Sequence, residues 1–366
     1  MQLTVPQVLA FRLRRQFLVE PSSDPCEVVR VLGGVQAQVP VAADAAVACR
    51  VANAMSPLVD GLLADGRAIR TWAMRGTLHV LAADEAPAYL SLLAATRSWE
   101  RPVWQRTFIT TAQLAVLRTV VGEALADGAK TREQLVAAVE ASSRDAVLVE
   151  QMRSGWGTVL KPLAWLGELC HAPTDGSRVV FTRPVDLVGS WPGLPSPEAA
   201  AAVVLRRYLG AHGPATEDDA LGWLSRGATK RSDLRRWIAA MGGDVARVDV
   251  EGTPSLALTA DLDELADSRP SDLVRLLPAF DQWVLAAGTG NPWIVDRARR
   301  PAVSRAGGWI SPVVVAGGRV AGTWSQDGAT VQILLFRERA AAVDPEALGV
   351  EARRVVPDAD LQVRTV

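Results

Sequence analysis

The chain is short of the residues that usually announce reactive chemistry. Its three cysteines, Cys26, Cys49 and Cys170, are odd in number, widely spaced and form no C-x-x-C pair. That disfavours a disulfide framework, a zinc site and an iron–sulfur cluster. The three histidines, His79, His171 and His212, are isolated and lack metal-ligand spacing. No apolar run is long enough to span a bilayer, and MQLTVPQVLAFRLRRQF has no signal-peptide h-region. No phosphate-binding G-x-x-x-x-G-K-S/T loop, dinucleotide fingerprint, G-x-S-x-G or H-E-x-x-H is present. The expectation is a soluble, cytoplasmic protein without cofactor or metal.

What is present is a chain of 366 residues, enough for two or three domains, of which 49% is apolar. Charged residues make up 22% and sum to a formal net charge of -1, and lysine is scarce beside arginine. That balance is low for a nucleic-acid partner. Such a partner requires the basic residues to gather on one surface.

Local signals repeat along the chain. Thr4 with Pro6 opens an amphipathic helix through Phe17. Asp24-Pro25 opens a second helix, which ends at Gly33-Gly34. Val35-Gln36-Ala37-Gln38-Val39 then alternates like a strand or extended turn, and helices follow near Ala42–Arg50 and Pro57–Ala64. RAIRTWAM and TLHVLA read as two strands joined at Arg75-Gly76. Helices followed by a hairpin make a winged-helix arrangement. A second round has helices at Thr111–Ala126, Thr131–Ala141 and near Trp156–Leu166, then a hairpin turning at Thr174-Asp175-Gly176. A third has helices at Pro197–Leu209, Glu217–Leu224 and Lys230–Met241, then a hairpin around Glu251-Gly252. The C-terminal part reads as strands turning at Gly317-Gly318 and Asp327-Gly328, with LQVRTV closing a small antiparallel sheet or barrel.

Four constellations carry chemistry. In an extended segment Gln36 and Gln38 share a face, and their amides offer acceptors and donors that can orient one water. Taken alone, Q-x-Q is also what a half-buried strand presents. The hairpin RTWAMRGTLHVL carries Arg70, Arg75 and His79, which could follow a DNA backbone or could be solvated arginines with a core histidine. ATKRSDLRRW places Lys230, Arg231, Arg235 and Arg236 at a recognition-helix position; a solvated helix face has the same pattern. DRARRPAVSR adds Arg297, Arg299, Arg300 and Arg305 in a loop-like stretch. Asp281 in LLPAFDQWVL either caps a turn or serves a site. The tryptophans suit core positions, with Trp72 and Trp324 as exceptions and Trp72 as support for a site.

VQAQVP after a Gly-Gly helix end, RTWAMRGTLHVL, LLPAFDQWVL and GWISPVVVAGGRVAGTWS stand in the order found in the bacterial AlkZ-like winged-helix DNA glycosylases, which the chain resembles over nearly its whole length. The resemblance implies an α+β fold: winged-helix units at 1–110, 111–194 and 195–266, and a C-terminal β-barrel at 267–366. It also implies a C-shaped body with a concave DNA channel. It makes Gln36 and Gln38 the catalytic pair, since they match the family's Gln-apolar-Gln signature, and Gln rather than Asp at the second position separates this chain from a sister branch. The implied reaction is cofactor-free hydrolysis of the N-glycosidic bond of cationic alkylated purines by a monomer acting on double-stranded DNA. This branch is associated with antibiotic producers and includes enzymes that unhook interstrand crosslinks. The alternatives are a non-catalytic winged-helix DNA binder, either regulatory or lesion-sequestering, and a protein-interaction module.

Overall fold

The computed structural model describes residues 1–154, 157–173 and 178–366. The second-round turn at Thr174-Asp175-Gly176 lies outside them, as does Trp156, the expected start of a helix. The fold is mixed α+β, and its contacts group into two compact units that do not follow chain order. One comprises 1–58, 206–223 and 241–366; the other comprises 59–205 and 224–240.

In the first unit, the helix Val5–Arg15 begins with a reciprocal capping box between Thr4 and Gln7. Asp24 caps the helix Pro25–Val31 through the Cys26 N–H. The chain leaves that helix through Gly33 and Gly34, both at positive φ (68° and 95°). Pro40 then starts the helix Pro40–Ala48. Val245–Val250 and Thr253–Leu258 form the third-round hairpin, and Gln2–Leu3 adds to it in parallel.

The C-terminal strands Val274–Leu277, Val313–Ala316, Arg319–Asp327, Thr330–Leu335 and Asp360–Thr365 form one five-stranded sheet in sequence order. It is open. The barrel expected from the sequence is not there, because the first and last strands do not pair. The last strand is parallel to its neighbour (Thr330 opposite Asp360), so the sheet is not purely antiparallel either. The cause is the helix Pro345–Val355, which carries the chain back along the sheet before the final strand.

Leu9, Phe11, Trp283, Val313 and Val320 share one core. The Trp283 indole donates to the Gly318 carbonyl at 3.0 Å. Gly318 has φ 85°, and a Cβ there would lie 2.6 Å from the Cβ of Leu9.

In the second unit, strands Ala68–Trp72 and Leu78–Ala82 pair in register, with Trp72 opposite Leu78. The turn between them contains Arg75 at φ 58°. Ala68–Trp72 also pairs with Cys170–His171, so hairpins from the first and second rounds share one sheet. The helices Thr111–Ala126 and Arg132–Ser142 each start with a Thr/Gln capping box. They bury Leu117, Leu135 and Val139 against Leu160 and Phe181.

Gly318→Ala should cost about 2–4 kcal/mol, from the strained φ and the overlap with Leu9. Denaturant unfolding of the purified variant checks this; an unchanged midpoint would mean the turn is not held against the Val5–Arg15 helix.

Candidate functional site

The Gln36–Gln38 segment is set by what flanks it. Gly33 and Gly34 turn the chain out of one helix, and Pro40 disfavours helical backbone at Val39, which sits at φ −117°, ψ 103°. Between them only Val35–Gln36 is strand, and the chain bends at Gln38. The regular alternation expected over Val35–Val39 therefore stops at Gln36. Val35 and Ala37 are buried in the core. Gln36 is 7% exposed, and its Oε1 is buried without a hydrogen-bond partner. Gln38 is exposed. One amide is thus enclosed and the other faces solvent.

Asp281 does cap a helix, accepting from the Trp283 N–H at 2.8 Å, and it does more. Its two oxygens take a bidentate fork from Arg50, Nη1 to Oδ2 at 2.7 Å and Nη2 to Oδ1 at 2.8 Å, and both side chains are fully buried. Arg50 also donates to the carbonyls of Gln16 (3.1 Å) and Ala46 (2.8 Å). Burial opposes its charge, but Asp281 and the Cys49 sulfur together outweigh burial and hold its pKa above the ordinary arginine value. Arg50 escaped the reading of the sequence because its partner lies 231 residues away and ACRVAN carries no local signal.

Burial pushes the Cys49 thiol up to about 11 and the Cys170 thiol up to about 12. His79, expected as a surface contact for DNA, is completely buried on its strand, with Nδ1 3.0 Å from the Thr77 carbonyl. Burial, aided by Arg75, lowers its pKa to about 3, so it is a neutral core residue and not a surface cation. Trp72 is also core, packed edge-on to His171 (4.7 Å) and stacked on Phe181 (5.9 Å). The Trp324 indole donates to the Leu277 carbonyl at 2.8 Å, a structural bond. Among the described residues no group of His, Cys, Asp and Glu could hold a metal ion.

The basic residues fall into two kinds. Lys230, Arg231, Arg235 and Arg236 are exposed at and along the helix Arg231–Ala240, with Arg236 paired to Asp233 and Glu198. The stretch around Arg297–Arg305 is not a loop but a 3₁₀ turn and a short helix, Arg300–Val303. There Arg297, Arg300 and Arg305 are exposed, whereas Arg299 forks onto Glu338 and lies over Phe336. Arg70 and Arg75 are half-buried on the hairpin.

The model of the family described as "DNA glycosylase AlkZ-like" matches residues 29–357. A Streptomyces sahachiroi protein described as an interstrand DNA cross-link repair glycosylase is 46% identical over 322 residues, covering 87% of this chain and 86% of its own. The solved structure of the Streptomyces sahachiroi DNA glycosylase AlkZ superposes with a TM-score of 0.94 at 41% identity, with each chain covered completely. The protein is thus a DNA glycosylase, a hydrolase of N-glycosidic bonds in DNA. It belongs to the AlkZ-like DNA glycosylase family.

His171, like His79, has its pKa lowered from 6.5 to about 3 by burial, with Arg70 and Arg132 contributing. The unfolded chain then binds more protons than the folded one between those values. Stability rises with pH from about 3 to 6.5 and is lost as the pH falls through that window. His171→Phe should flatten the slope, measured as urea midpoints at pH 4 and pH 7. A slope as steep as wild type would contradict a neutral buried imidazole.

Proposed function

We propose that the protein hydrolyses the N-glycosidic bond of cationic alkylated purines, N7-alkylguanine above all, with Gln36 and Gln38 holding the attacking water. The supporting observation is the Gln36-Ala37-Gln38 segment, in which an enclosed amide with an unpartnered Oε1 stands two residues from an exposed one. An alkylated purine already carries positive charge, so it leaves without being protonated. The sugar becomes cation-like, and what remains is to place a water beneath C1′. Positioning alone can contribute roughly 7 kcal/mol or more. The amide oxygens also turn their negative dipole ends towards the developing positive charge. A neutral amide is a poor general base, so uncharged lesions should be poor substrates.

The relative's description as a cross-link repair glycosylase extends the reading to bulky and crosslinked adducts. A crosslinked base is tied to the opposite strand and cannot be extruded into a closed pocket as in base flipping. The reading therefore has the water delivered to a lesion still in place. The three rounds of helices and hairpin are read as winged-helix units at 1–110, 111–194 and 195–266. The exposed cations Lys230, Arg231, Arg235 and Arg300 are read as phosphate contacts, and such contacts would make affinity salt-dependent.

Gln38→Ala should slow release of 7-methylguanine from duplex DNA on the order of 10- to 1,000-fold while affinity for undamaged duplex stays near wild type. Equal loss of binding would make Gln38 a contact residue. Uracil released as fast as 7-methylguanine would defeat the mechanism. Arg235→Ala should weaken binding on all sequences alike and reduce the slope of log affinity against log salt by about one. A salt slope unchanged in titrations would remove Arg235 from the interface.

A further inference from the structure

A line of buried polar groups is tied to the backbone on both sides of the Gln36–Gln38 segment in the chain, at Leu32 and at Ala46. On the upstream side the Leu32 carbonyl lies 3.1 Å from His212 Nε2. His212 Nδ1 lies 3.1 Å from Gln16 Nε2, which also donates to the Ala211 carbonyl at 2.9 Å. A carbonyl only accepts, so the NH2 end of the Gln16 amide faces both groups. His212 Nδ1 is then the acceptor and Nε2–H the donor to Leu32, a single neutral tautomer. The Gln16 backbone carbonyl accepts from Arg50 Nε at 3.1 Å. On the downstream side Arg50 holds the Ala46 carbonyl, near the far end of the helix that starts just after Gln38, and forks onto Asp281. His212, Gln16, Arg50 and Asp281 are each 3% exposed or less.

We propose that His212 and Gln16 on one side, and Arg50 with Asp281 on the other, are positioning residues for the two glutamines. The proposal rests on the reading that Gln36 and Gln38 carry the reaction. Amides neither give nor take a proton in this chemistry, so both the placing of the water and the aim of their dipoles depend on geometry. A misplacement of about 1 Å then costs on the order of a hundredfold in rate. The segment enters through Gly33 and Gly34, whose backbone conformations glycine adopts at little cost and can readily leave. The His212–Leu32 bond fixes the chain ahead of that hinge, and Arg50 fixes the helix beyond it. Together they leave the intervening residues one arrangement.

The test is single-turnover release of 7-methylguanine from duplex DNA at saturating enzyme. Wild type is compared with His212→Phe, Gln38→Ala and the double variant. The phenyl ring retains the packing on Tyr208, whose ring centroid is 5.6 Å away, and loses both hydrogen bonds. The expected result is a rate lowered about 10- to 100-fold, with DNA affinity within about twofold of wild type and circular dichroism showing a folded protein at the assay temperature. In the Gln38→Ala background His212→Phe should cause a clearly smaller loss than in wild type, because one of the two amides it positions is gone. Asp281→Asn, which keeps a cap acceptor but turns an NH2 towards Arg50, gives the same reading from the other side should His212→Phe not fold.

A folded His212→Phe enzyme with wild-type rate overturns the proposal. So does an equal loss in both backgrounds, which marks a merely structural role. A Gln38→Ala enzyme with wild-type rate strikes instead at the assignment of the glutamines, and the proposal falls with it.

Discussion

The fork between Arg50 and Asp281 is the contact on which the arrangement of the first unit turns. A guanidinium and a carboxylate, both sealed from water, join the N-terminal helices to the segment between the first two strands of the C-terminal sheet. Removing two charges from water costs several kcal/mol each, and only close, fully bonded geometry offsets it. Here Asp281 is bonded by Arg50 and by the Trp283 amide, and Arg50 also reaches two backbone carbonyls. A buried pair of this kind adds little net stability over an apolar pair. What it supplies is one permitted register between helix Pro40–Ala48 and the segment at Asp281, since any slip leaves a charge unpaired.

That rigidity matters because of what the chain lacks. The Cys49 and Cys170 thiols are held protonated by burial, and His79 and His171 are held neutral. On the proposed reading, in which two amides and no general base act, the enzyme is confined to substrates that need little proton transfer. In the proposed reaction the lesion supplies the leaving-group activation and the protein supplies placement. The two demands meet in the Gln36–Gln38 segment, where flanking glycines and a proline shape the backbone and the core behind it holds the backbone still.

Much of the fold could be read locally. Thr4 with Pro6 and Thr131 with Gln134 mark helix starts within a single turn, and the structure caps helices at both threonines. Gly317-Gly318 likewise turns a hairpin because both residues adopt positive φ. Long-range features were hidden. An open sheet with a parallel last strand depends on a helical crossover, and no strand sequence reveals its partner. The burial of His79 depends on what covers its strand. The bend at Gln38 was half visible in Pro40, yet alternation over five residues masked it. The Arg50–Asp281 fork and the His212–Leu32 bond join positions 231 and 180 residues apart, beyond any local pattern.

The most direct measurement is a crystal structure of the protein bound to duplex DNA containing a cationic pyrrolidine analogue of the abasic sugar. The account predicts one ordered water beneath the position equivalent to C1′, within about 3 Å of the amide oxygens of both Gln36 and Gln38. A complex in which Gln38 grips a phosphate while Gln36 stays enclosed in the core, with no shared water, would contradict it.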